Sequence, residues 1–276
     1  MVSRVTTVMT SDLTSKDICL INTHYFGFDT QGHASPFLSP ETSVTLAVSS
    51  FLYHSASKIS ASAKVDSKTD NKPVVSKAQK IAVRKLLYHL FFEKMKGCSF
   101  TYTKSRRVNL LQIKGLSLSE SSYPYRLLPF NYYVCFTHSG NKIACAIHTE
   151  QVIGIDLEVN PVSIKVAQRY YTLEEKNWLS QLDTNHLPQA VKLLWLLKEA
   201  SIKKNKTSNA NLLSGLKENK LHAAQKFMPM IAKSHHDATN INKNTASQSY
   251  CYQDSTDLTN ITTYVYITTE NLVAIW

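Results

Sequence analysis

Three acidic side chains stand out as able to do chemistry: Asp156 and Glu158 in the run VIGIDLE, and Glu199 in WLLKEASIKK. The first run is rich in aliphatic and β-branched residues and reads as a strand, in which residues two apart face the same way, about 7 Å apart along the chain. Paired carboxylates there require a cation, and hard oxygen ligands completed by water and substrate phosphates are how Mg²⁺ is held at phosphoryl-transfer sites. Glu199 and Lys203 lie one helical turn apart. Thr137-His138-Ser139-Gly140 gathers two hydroxyls, an imidazole and backbone N–H groups where a phosphate can bind. Taken singly, each feature has an ordinary structural reading: acids at an exposed strand end, a surface ion pair worth roughly 0.3–0.5 kcal/mol, a solvated turn. Their joint order and spacing set them apart.

The elements that must position these groups are legible in outline. Residues 132–147, YYVCFTHSGNKIACAI, read as a hairpin turning through Ser139-Gly140-Asn141, and VIGIDLE at 152–158 as a further strand ended by Asn160-Pro161. Helical spacing covers 162–181, with Thr172 and Glu175 as a capping box, and 188–204 is the clearest helix of all. Within it Leu193, Leu194, Trp195 and Leu197 are expected to form a buried stripe. Upstream, AQKIAVRKLLYHLFFEKM places Ile81, Leu86, Leu87, Leu90 and Phe91 at near-helical spacing beside Lys80, Arg84 and Lys85, ending near Gly97. Residues 54–77 read as an exposed loop, and 205–260 as a long polar region that includes an amphipathic stretch, LLSGLKENKLHAAQKFM. His235 and His236 are expected in that polar region as solvated side chains, not as metal ligands. The end of the chain echoes the hairpin, with YVYITT at 264–269 against YVCFTH at 133–138 and LVAIW at 272–276 against IACAI at 143–147. The echo suggests two similar halves.

Composition sets bounds. With 276 residues and 43% hydrophobic content the chain has ample core. Lys and Arg outnumber Asp and Glu by 31 to 20, for a net charge of +11, which favours an anionic partner without choosing among nucleic acid, phosphorylated cofactor and acidic protein. The five cysteines, Cys19, Cys98, Cys135, Cys145 and Cys251, are scattered and lack metal-ligand spacing, as expected of free thiols in a reducing cytosol. Neither secretion nor a membrane span is expected from its hydrophobic runs.

GIDLE followed 43 positions later by W-x-x-K-E-A-x-x-K, with F-x-H-S-G upstream, resembles the 4′-phosphopantetheinyl transferase superfamily, in particular its longer two-half, Sfp-type branch. The resemblance covers residues 130–204 well and the rest in outline. It implies that Asp156, Glu158 and Glu199 hold Mg²⁺ or Mn²⁺ with the pyrophosphate of coenzyme A. It further implies that Lys203 stabilises the leaving phosphate and that Lys198 has a phosphate or structural role. Thr137, His138 and Ser139 match a phosphate-binding stretch, and Lys80 resembles a basic residue near the adenine and 3′-phosphate. Glu199 is the leading choice of base for the incoming serine hydroxyl. The sequence departs from the family where F-N-x-S-H-S is usual, since Phe130-Asn131 is separated from His138, and where a G-x-K-P lysine is usual, leaving Lys104 and Lys114 as replacements.

The expectation is therefore an α+β protein of two similar halves, 1–150 and 151–276, in a pseudo-twofold arrangement, each a helix packed on a small antiparallel sheet. Coenzyme A would lie between them. The implied partner is an acidic acyl-, peptidyl- or aryl-carrier protein, with no nucleic acid or membrane, and the chain is expected to be a cytoplasmic monomer. Two alternatives remain: a non-catalytic nucleic-acid-binding protein, prompted by the charge and by Arg106-Arg107, and a degenerate transferase that only binds coenzyme A or a carrier.

Overall fold

A computed structural model describes residues 18–35, 42–53, 72–96, 117–119, 124–205, 215–238, 249–255 and 261–276. Seven antiparallel strands form the first sheet: β1 (Ile18–Phe28), β2 (Ala34–Ser35), β3 (Val44–Tyr53), β4 (Ser117–Ser119), β5 (Tyr125–Leu128), β6 (Tyr132–Ser139) and β7 (Lys142–His148), in the order β2-β1-β3-β7-β6-β5-β4. Four more form the second: β8 (Gly154–Leu157), β9 (Ser249–Ser255), β10 (Ile261–Ile267) and β11 (Leu272–Ile275), in the order β8-β11-β10-β9. The helices among the described residues are α1 (Lys72–Lys96), α2 (Ile164–Tyr170), α3 (Leu173–Ser180), α4 (Leu187–Asn205) and α5 (Leu221–Ala238). The fold is α+β, as expected.

Period-two alternation sorts the strands into layers. On β7, Ile143, Cys145 and Ile147 face α1, while Ala144 and Ala146 face the second sheet. On the second sheet, Val265, Ile267, Leu272 and Ala274 face the first sheet, while Tyr264, Tyr266, Val273 and Ile275 face α4 and α5. Three buried clusters result, and the molecule is layered helix, sheet, sheet, helices. The apolar stripe of α1, Ala78, Ala82, Leu86 and Leu90 with Val83, Leu87 and Phe91, is what seats that helix on β3 and β7. Roughly 1.5–3 kcal/mol per fully buried large aliphatic side chain makes these faces decisive for the layering.

The strand orders β3-β7-β6-β5 and β8-β11-β10-β9 follow one scheme. In both, the first strand lies beside the last, and a long helix packs on its sheet. The echoing sequences occupy matching places, β6–β7 and β10–β11. The chain leaves the first sheet at His148 and enters the second at Gly154.

Several local expectations change. Helix α1 begins at Lys72, so 72–77 is helix and not loop; Pro73 lies in the first turn, where its missing N–H has no helical partner to lose. Ile81 is half-buried and outside the main stripe. The polar region 205–260 supplies α5, whose Ala223, Ala224, Phe227, Met228 and Ile231 are buried, and the edge strand β9. His235 and His236 belong to α5, not to a loop. Lys104, Arg106, Arg107, Lys114, Cys98 and 54–71 lie outside the described residues. Phe130 and Asn131 form the β5–β6 turn, with Asn131 at φ 60° and the Phe130 ring 5.1 Å from that of Phe91, which removes them from the region of His138.

Candidate active site

A cleft of about 620 Å³ opens where the first sheet meets the edge of the second. Helix α1 contributes Lys80 and Arg84, β6 contributes Thr137 and His138, β8 with the residue after it contributes Asp156 and Glu158, and α4 contributes Trp195, Glu199 and Lys203. Four elements thus bring together seven of the site residues expected from the sequence, the three acids among them.

The seam between β6 and β8 is built from side chains. Strand β8 is the outer strand of its sheet, so its outward N–H groups have no neighbouring strand to donate to. Cys135, Thr137 and Ser139, every second residue of β6, supply the acceptors: Ile155 N donates to Cys135 Sγ at 3.4 Å, Leu157 N to Thr137 Oγ1 at 3.3 Å, and Val159 N to Ser139 Oγ at 3.2 Å. The same hydroxyls donate onward, Thr137 to Asp156 Oδ1 at 2.9 Å and Ser139 to Glu158 Oε1. Asn160 N also donates to Glu158 Oε1, at 2.8 Å. His138 points from the other face of β6 and is exposed on the cleft. The hairpin turn beyond it is closed by Gly140 at φ 58°, a conformation glycine takes without steric cost.

Helix α4 is pressed onto β8 by a missing side chain. A Cβ at Gly154 would stand 1.9 Å from the Ala200 carbonyl oxygen and 2.6 Å from Lys204 N. That close approach delivers Glu199 and Lys203 to the acids of β8. Lys203 Nζ donates to Asp156 Oδ1 at 2.7 Å and to Thr137 Oγ1 at 3.2 Å, so its partner is Asp156 and not the i,i+4 neighbour Glu199. Nothing among the described residues hydrogen-bonds the Glu199 carboxylate.

Charge and burial shape the proton affinities here. Burial, then the negative charge of Asp156, raises Glu199 above the usual carboxylate range, against the opposing pull of Lys203. Burial acts to lower Lys203, but the Asp156 charge and hydrogen bond, with help from Cys135 and Glu199, outweigh it and raise the ammonium above an ordinary lysine. Burial, then the charge of Lys203, lowers His138, which favours the neutral imidazole.

Lys198 is not in the cleft. It is fully buried on another face of α4, 2.8 Å from Glu175 Oε2, donating to the carbonyls of Leu216 at 3.0 Å and Glu218 at 2.6 Å, with its ammonium 5.3 Å from the centre of the Tyr171 ring. Its place is a structural tie among α3, α4 and the segment before α5. Lys198 and Lys203 are five helical positions apart, roughly 140° of rotation, and this signal was readable in the sequence. Trp195, expected in the core stripe, is half-buried and forms part of the cleft wall. Ser139 is buried against Glu158 and Val159. Sequence reasoning did not single out Arg84 and Tyr125 as cleft residues; Arg84 could have been found as the i+4 neighbour of Lys80.

Among the described residues, no three His, Cys, Asp or Glu side chains are gathered tightly enough to hold a metal ion as they stand. The donor set still suits a hard divalent cation. Asp156 Oδ1 and Glu158 Oε1 are anchored by hydroxyls, their second oxygens make no hydrogen bond within the described residues, and Glu199 lies close enough to Asp156 for the two charges to repel. Lys203 Nζ shares Asp156 Oδ1 with the Thr137 hydroxyl.

No protein-family model matches the chain. Over 91 residues it is 29% identical to the 4′-phosphopantetheinyl transferase gsp of Aneurinibacillus migulanus, a stretch covering 33% of this chain and 38% of that protein. The chain thus matches well under half the length of that relative. This partial similarity supports the phosphopantetheinyl transferase superfamily at most and singles out no branch within it.

Proposed function

We propose that this chain is a 4′-phosphopantetheinyl transferase that moves phosphopantetheine from coenzyme A to a serine of an acidic acyl-, peptidyl- or aryl-carrier protein, releasing adenosine 3′,5′-bisphosphate. The observation that carries this reading is the meeting of Asp156 on β8 and Glu158 just after it with Glu199 and Lys203 on α4 in one cleft. The similarity to a protein of that name supports it. Residues 1–150 and 151–276 are read as the two similar halves of the transferase, related by a pseudo-twofold, in the manner of the Sfp-type branch.

Asp156, Glu158 and Glu199 are the residues to hold Mg²⁺ or Mn²⁺. An ion held there would supply positive charge to the phosphates of coenzyme A. The serine hydroxyl oxygen attacks the phosphorus nearest pantetheine, and the bond from that phosphorus to the oxygen of the departing nucleotide breaks. Glu199, whose proton affinity burial raises, takes the hydroxyl proton. Lys203 offers its ammonium to the charge that develops on the leaving phosphate. Lys80, Arg84 and His138 also line the cleft and suit the remaining phosphates of coenzyme A.

A net charge of +11 favours encounter with an acidic carrier. The cleft is assembled from one chain, which is consistent with a working monomer, and a cytoplasmic enzyme is the setting proposed. Among the described residues no helix is long and apolar enough to cross a membrane.

The test is mass spectrometry of apo carrier proteins incubated with the chain, coenzyme A and Mg²⁺. A gain of one phosphopantetheine that disappears in Asp156→Ala and Glu199→Ala is expected. No gain on any of several carrier types, with coenzyme A binding retained, supports a degenerate transferase instead; salt-dependent binding of random DNA without transfer supports a nucleic-acid-binding protein.

A further inference from the structure

The hydroxyls of Thr137 and Ser139, matched by resemblance to a phosphate-binding stretch, are already engaged. A hydroxyl has one proton to give and two lone pairs with which to accept. Thr137 Oγ1 donates to Asp156 Oδ1 at 2.9 Å and accepts from Leu157 N at 3.3 Å and Lys203 Nζ at 3.2 Å, which saturates it. Ser139 Oγ donates to Glu158 Oε1, accepts from Val159 N at 3.2 Å, and belongs to a residue only 8% exposed. Neither hydroxyl has a proton left for a phosphate oxygen.

We propose that Thr137 and Ser139 are positioning residues that hold the Asp156 and Glu158 carboxylates in the orientation a divalent cation requires. This assignment rests on the transferase reading for the identity of the cation's substrate. The two strands meet with matching period: hydroxyls two apart on β6 face carboxylates two apart on β8. The bonds from Ile155, Leu157 and Val159 N–H lock that register along its whole length. Each hydroxyl takes hold of one oxygen of its carboxylate, Oδ1 or Oε1, and leaves the other oxygen without a hydrogen bond among the described residues. Ligating carboxylates are ordinarily oriented by a hydrogen bond of this kind, and its loss typically costs about 10–100-fold in metal affinity. The middle residue of the run, His138, faces the cleft from the opposite side of the strand and is the one of the three left to meet a ligand directly.

The experiment measures Mn²⁺ binding to the full chain without coenzyme A, by the loss of the free-ion paramagnetic resonance signal. Coenzyme A binding in chelator and thermal unfolding are followed in parallel. Thr137→Val, which keeps the shape and removes the hydroxyl, and Ser139→Ala are expected to bind Mn²⁺ roughly 10–100-fold more weakly. Thr137→Ser should restore wild-type affinity, and metal-free coenzyme A affinity should be unchanged in all three. Should Thr137→Val fold poorly, Ser139→Ala carries the same comparison. Wild-type Mn²⁺ affinity in the folded variants, or a loss confined to metal-free coenzyme A binding or to stability, overturns the proposal and leaves the transferase reading standing. A wild-type chain that binds no Mn²⁺ also overturns the proposal, while transfer to apo carrier proteins decides the transferase reading separately.

Discussion

Lys203 Nζ lies 2.7 Å from Asp156 Oδ1, so the cationic end of α4 neutralises the very carboxylate that a metal ion would need. The pair is part-buried, and its attraction is strong enough to raise the lysine despite burial. A metal ion held at the proposed site would therefore compete with the lysine for one carboxylate. In Lys203→Met that competitor is gone, and Mn²⁺ binding in the absence of coenzyme A is expected to tighten several-fold. Phosphopantetheine transfer should fall by at least about 100-fold, since roughly 3 kcal/mol of leaving-group stabilisation goes with the ammonium. Metal titration and a transfer assay on the same preparation check both directions. Weaker Mn²⁺ binding in the variant would contradict the competition.

Gly154 is where strand and helix touch backbone to backbone. A methyl group at this position meets Ala200 O at 1.9 Å, and backbone cannot rotate away as a side chain can. Gly154→Ala should lose about 1–3 kcal/mol of stability, the usual cost of overpacking. Because α4 must then move off β8, the variant should lose transfer activity in its folded fraction too. Urea denaturation and activity per folded molecule measure the two effects.

The Lys198–Glu175 pair is sealed from solvent at both ends. Removing one partner of such a pair strands a buried charge, so Lys198→Met is expected to cost about 3–5 kcal/mol. Replacing both, as Lys198→Met with Glu175→Gln, should recover part of that loss, since the amide oxygen can still accept from Lys220 N while the unpaired charge is gone. Coenzyme A affinity of the folded double variant should stay within a few-fold of wild type, because neither group lines the cleft. A large affinity loss in the double variant would return Lys198 to the ligand.

His148 gives the fold a pH dependence. Its Nδ1 accepts from Glu150 N at 3.1 Å and Gln151 N at 3.2 Å, it is wholly buried, and its ring meets Trp276 edge-on at 6.1 Å between centres. Burial first, and then the charges of Lys94 and Lys204, lower its pKa from 6.5 to about 4. The folded ring thus stays neutral in a range where the unfolded chain binds a proton. Its contribution is complete above pH 6.5 and is lost as the pH falls toward 4, by roughly 3 kcal/mol in all. In His148→Asn the stability difference from wild type should change by about that amount between pH 7 and 4. Equal slopes in the two proteins would refute the assignment.

Much of this protein was fixed locally and could be read directly. The hairpin at β6–β7, the capping box of Thr172 and Glu175, the long helix α4 and the terminal strand pair all follow from short-range periodicity and turn chemistry, and each is present. The grouping of Asp156 with Glu199 and Lys203 came from the family resemblance and not from periodicity, and the structure gathers the three in one cleft. Where periodicity was weak, the reading was incomplete: α5 and β9 lie in a polar stretch whose order depends on burial against α4 and β10.

What only the tertiary structure decided was the partner of each polar group. A sequence lists Thr137 and Ser139 as hydroxyls beside a histidine; it does not say that β8 is an outer strand whose N–H groups must be satisfied from β6. Nor does it say that the glycine of GIDLE is there to admit a helix backbone, or that Lys198 is enclosed while Lys203 reaches Asp156. Those outcomes depend on how two sheets and a helix come together over distances of 19 to 66 residues along the chain. The three acids are written in the sequence, whereas their orientation is a product of packing.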